Sequence, residues 1–162
     1  MTTFTVWKFA EPDGAARAQT TLRAAASEGL VTIVDHAVMT WPEGADRPSL
    51  VHEHDSTKRG AGWGALWGIL GGALFAIPVA GLVLGAGLGA LVKATAGTGI
   101  SKQDLERIRT EIGPGDSALF LVTEDANVDR LGERFHWRDS TLISTNLTDG
   151  ERATLLETFG GG

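Results

Sequence analysis

The sequence predicts an α+β fold, a ferredoxin-like sandwich with an inserted glycine-zipper helical hairpin. Three observations lead there. Strand-like and helix-like apolar periods alternate through both ends of the chain. Between Arg59 and Lys93 there is no Asp, Glu, Lys, Arg or His. Within that uncharged stretch glycine recurs at every fourth position, as Gly60, Gly64, Gly68 and Gly72 and again as Gly81, Gly85 and Gly89. Glycine costs an exposed helix about 1 kcal/mol relative to Ala, yet at this spacing it clears one helix face for another backbone. The division that results is 1–56 for the first half of the α+β domain, 57–97 for the hairpin and 98–162 for the second half.

Residues 3–9, TFTVWKF, alternate with Phe4, Val6 and Lys8 on one side and Thr5, Trp7 and Phe9 on the other, which predicts a strand. Asp13 is placed to cap an alanine-rich helix over 14–28, and Gly29 to stop it. Leu30 to Met39 is the second strand, closing a βαβ unit expected to cross over right-handedly. Trp41-Pro42-Glu43-Gly44 is turn chemistry, and 48–54, PSLVHEH, returns as a short third strand. After the insert, Ser101 opens a helix in which Asp104 returns the capping-box bond. Gly113-Pro114-Gly115 ends that helix, and Ser117 to Thr123 is an apolar, buried strand. A short helix over 125–135, a strand over 141–146 and a last helix capped by Thr148, with Glu151 completing its capping box, finish the chain. This order predicts helices on one face of a mixed sheet.

Pro78 divides the insert into arms 60–77 and 79–93. At about 1.5 Å per residue they span roughly 27 and 22 Å, each short of a bilayer core of about 30 Å. A hairpin turning near Ala76-Ile77-Pro78 fits better than one span. Lys58, Arg59, Lys93 and Lys102 flank its open end, which the positive-inside rule places in the cytoplasm, and Trp63 and Trp67 sit where interfacial tryptophans are common. Three homes suit such a hairpin: the cytoplasmic membrane with the α+β domain facing the cytoplasm, the interior of a soluble cytoplasmic assembly, or the chain's own sheet. Against the last, glycines leave little side-chain volume to fill a core.

A net charge of -6 and a pI near 5.1 argue against a nucleic-acid partner, since no basic cluster exceeds Lys58-Arg59. The same acidity argues against reading the five tryptophans as a base-stacking platform; Trp7 and Trp41 are expected to cover sheet faces or a subunit contact. Without cysteine there are no disulfides, thiolate metal sites or cysteine nucleophiles. The first residues, MTTFTVWKFAEPDG, lack a basic region followed by an apolar core, so no secretory signal is expected.

His52-Glu53-His54-Asp55 is the candidate metal site. On a strand, His52 and His54 share a side and can share a Zn²⁺ or similar ion, Asp55 adding a carboxylate and His36 approaching from the neighbouring strand. The plain alternative is a solvated polar segment leading into the insert. Asp35 and His36 adjoin on one strand and so face opposite ways, which argues against an acid–base pair. Ser117 lacks the last glycine of a nucleophile elbow. Gly97-Thr98-Gly99 is not followed by the Lys of a phosphate loop. No catalytic constellation and no cofactor are expected.

The stretch GWGALWGILGGALFAIPVAGLVLGAGLGAL, followed by GTGISKQDLERIRTEIGPGDSALFLV, resembles an uncharacterised bacterial family common in actinobacteria, whose members are described as predicted membrane proteins of unknown function. The resemblance runs from TFTVWKF through the last helix, and the zipper followed by Pro114-Gly115-Asp116-Ser117-Ala118-Leu119 is its most specific part. It implies a shared architecture and a membrane or stress association, and it brings no catalytic residues. The expected function is a non-enzymatic structural protein that forms a homo-oligomer through the seven zipper glycines, membrane-anchored or not. The alternative is a small-ligand or metal-binding module using His52 and His54 at a subunit interface, which is fold-level analogy.

Overall fold

A computed structural model describes residues 2–53, 67–76, 88–94, 100–124 and 140–145. Five strands form one sheet: β1 (Thr2–Phe9), β2 (Thr32–Thr40), β3 (Ser49–Glu53), β4 (Ser117–Glu124) and β5 (Ser140–Thr145), in the order β3-β2-β4-β1-β5. Every ladder between neighbours is antiparallel. The expected mixed sheet is therefore corrected. β4 lies between β1 and β2 and runs against both, so the parallel pair of the βαβ unit is split and never touches edge to edge.

The helix between them, α1 (Gly14–Ser27), buries Ala15, Ala18, Leu22 and Ala25 along one stripe. Asp13 makes no side-chain cap bond, contrary to expectation; it and Glu11 instead pair with the Arg17 guanidinium. The stop at Gly29 is as the sequence suggests. With φ at 79°, Gly29 donates to the Ala26 carbonyl while Leu30 donates to that of Ala25, the two bonds of a Schellman ending.

Among the described residues, three helical stretches follow β3. Residues 67–76 form α2, of which Ile69–Ala73 is π-helical and Leu74–Ala76 α-helical. Leu88–Ala94 is α3 and Lys102–Glu111 is α4. The capping box at the start of α4 forms in full: Ser101 Oγ accepts from the Asp104 amide at 3.1 Å, and Asp104 Oδ2 accepts from the Ser101 amide at 2.9 Å.

The alternation along β1 sorts two cores. Trp7 and Phe9 join Val38, Leu119, Leu121 and the α1 stripe. Phe4 and Val6 join Ala37, Met39, Phe120 and Val122 on the opposite face, together with side chains of α2, α3 and α4. The described helices thus cover both faces of the sheet, not one. The second layer is built by apolar side chains of α2 and α3 from the insert together with Leu105 and Ile108 of α4. The turn at Pro78 and the helices expected over 125–135 and after Thr148 lie outside the described residues.

Candidate assembly surface

The side of α2 that meets the sheet is built from its large residues. Trp67, Leu70, Leu74 and Phe75 are buried, as are Leu88 and Leu91 of α3. Fully burying one such side chain is worth roughly 1.5–3 kcal/mol, ample to hold these short helices on the sheet. Trp67 meets the Phe120 ring of β4 at 6.1 Å between centroids, and Phe75 meets Trp41 edge-on at 5.6 Å. Arg109 of α4 lies 5.5 Å from the centroid of that same Phe75 ring, a cation–π geometry. The place expected for Trp67 at a lipid interface is therefore corrected: it is 1% exposed, inside the protein core. Glycines do leave little volume, but the large residues between them fill the space. Trp63 lies outside the described residues.

Three of the glycines at four-residue spacing are described, and they take the other side. Gly68, Gly72 and Gly89 are exposed, and so are Ala73, Ala76 and Ala90. A Cβ built on Gly68, Gly72 or Gly89 meets nothing within 4 Å. These glycines therefore serve no close packing within the described chain. Gly60, Gly64, Gly81 and Gly85 lie outside the described residues.

The glycine that does make a close approach is Gly71, which falls off the four-residue period. A Cβ there would stand 2.8 Å from Leu50 Cβ on β3. The Gly71-Gly72 doublet was the available signal: one partner faces in, the other out. The π-turn helps both, because its i→i+5 bond, from the Leu74 amide to the Ile69 carbonyl, widens the turn.

The histidine segment divides. His52 sits on β3 opposite Ala37, and His54 lies outside the described residues. His36 is one position along β2 from Ala37, the ladder partner of His52, so positions 36 and 52 fall on opposite faces of the sheet. It pairs across the ladder with Glu53 and is fully buried on the α1 side, where the Gln19 side-chain amide donates to its Nε2 at 2.7 Å. A register shift between Ile33 and Asp35 puts Asp35 opposite Val122 and His36 opposite Leu121, which are in the two different cores. Asp35 Oδ1 accepts from the His36 amide at 2.8 Å, so the carboxylate serves the backbone at the bulge. Among the described residues no group of three or more His, Asp or Glu is placed to hold a metal ion.

Ser117 is likewise structural. Its hydroxyl donates to the Glu11 carbonyl at 2.6 Å and accepts from the Ala15 amide at 2.9 Å, pinning the start of α1 to β4. A shallow cleft of ≈ 430 Å³ at the far end of α1 is lined by Arg23, Ala26, Val31, Thr32 and Ile33. Among the described residues of that lining there is no carboxylate or imidazole, and Thr32 supplies a hydroxyl. No helix among the described residues is long and apolar enough to cross a membrane.

A family model described as "Protein of unknown function (DUF1269)" matches residues 61–160. No curated protein and no solved structure matches the chain.

Proposed function

The chain belongs to the DUF1269 family of proteins of unknown function, and from that premise we propose that it is a non-enzymatic structural protein. Copies assemble into a homo-oligomer through the glycine faces of the insert. The carrying observation is the outward placement of Gly68, Gly72 and Gly89 on helices whose other sides are buried in the core. Each exposed glycine inside a helix costs the lone subunit about 1 kcal/mol relative to Ala. Nothing within the described chain returns that cost. A second helix laid on the same face returns it through close backbone contact.

Strand order supports the ferredoxin-like reading as well. With the extra edge strand β3 set aside, the remainder is a split βαβ flanked by β5.

Assembly in water and assembly in a bilayer both use this face. Burial of Trp67, Leu70 and Leu74 against the chain's own sheet supports the first, because those side chains are not offered to lipid. Fractionation without detergent, followed by light scattering on the purified protein, tests the proposal. A soluble oligomer is expected, and a monomer at all concentrations would overturn it.

A further inference from the structure

We draw no further inference here: the strongest candidate, the shallow cleft between the end of α1 and the start of β2 lined by Arg23, Ala26, Val31, Thr32 and Ile33, carries nothing because nothing in the structure shows what covers it.

Discussion

Gly71 and Leu50 are in contact so close that a methyl group on the glycine would stand 2.8 Å from the leucine Cβ. One position later, a Cβ on Gly72 would meet nothing within 4 Å among the described residues. Of these two adjacent glycines of α2, one packs against the edge strand β3 and the other is exposed.

The pair gives opposite signs for one substitution. In dilute protein, Gly71→Ala should lower the melting temperature, because either α2 or β3 must shift. Gly72→Ala should raise stability by up to about 1 kcal/mol through helix propensity alone. Chemical denaturation of the two variants beside wild type checks both.

Trp67 should behave as a core residue. Trp67→Ala should cost about 3–5 kcal/mol, and Trp67→Phe should cost less. Urea unfolding gives the numbers. A cost near zero would mean that the insert does not rest on the sheet.

The Ser117 hydroxyl satisfies two backbone groups at the start of α1. Ser117→Ala leaves a buried amide and carbonyl to find other partners, so a loss of about 1–3 kcal/mol is expected. Amide exchange should quicken first at Ala15 and its neighbours.

At the start of α4, Ser101→Ala removes one half of the reciprocal cap and should cost about 1 kcal/mol. Ser101→Asp should restore most of it. Thermal melts of the two variants distinguish a cap from a bystander.

What could be read from the sequence was local. Gly29, the Ser101–Asp104 box and the in–out alternation of β1 each depend on residues a few positions apart, and all three form as expected. The Asp13 cap failed for an equally local reason: Arg17 and its acidic neighbours form ion pairs there instead. What could not be read was non-local. The position of β4 between β1 and β2 is settled by pairings more than 75 residues apart along the chain in each case. The bulge after Ile33, which decides that His36 goes under α1 and Asp35 to the other face, leaves no mark in a periodicity count. The four-residue glycine period could not say which side of its helix would face the sheet, because that depended on which large residues the sheet would accept. Trp67, Leu70 and Leu74 took the inside.

The central claim is that the outward glycine face joins one copy to another. Its most direct test is the molar mass of detergent-free wild type and Gly72→Leu, measured by light scattering across a concentration series. The account predicts an oligomer for wild type and a lower mass for Gly72→Leu, with the same circular dichroism spectrum. A wild-type protein that stays monomeric, or an oligomer whose mass the leucine leaves unchanged, would contradict it.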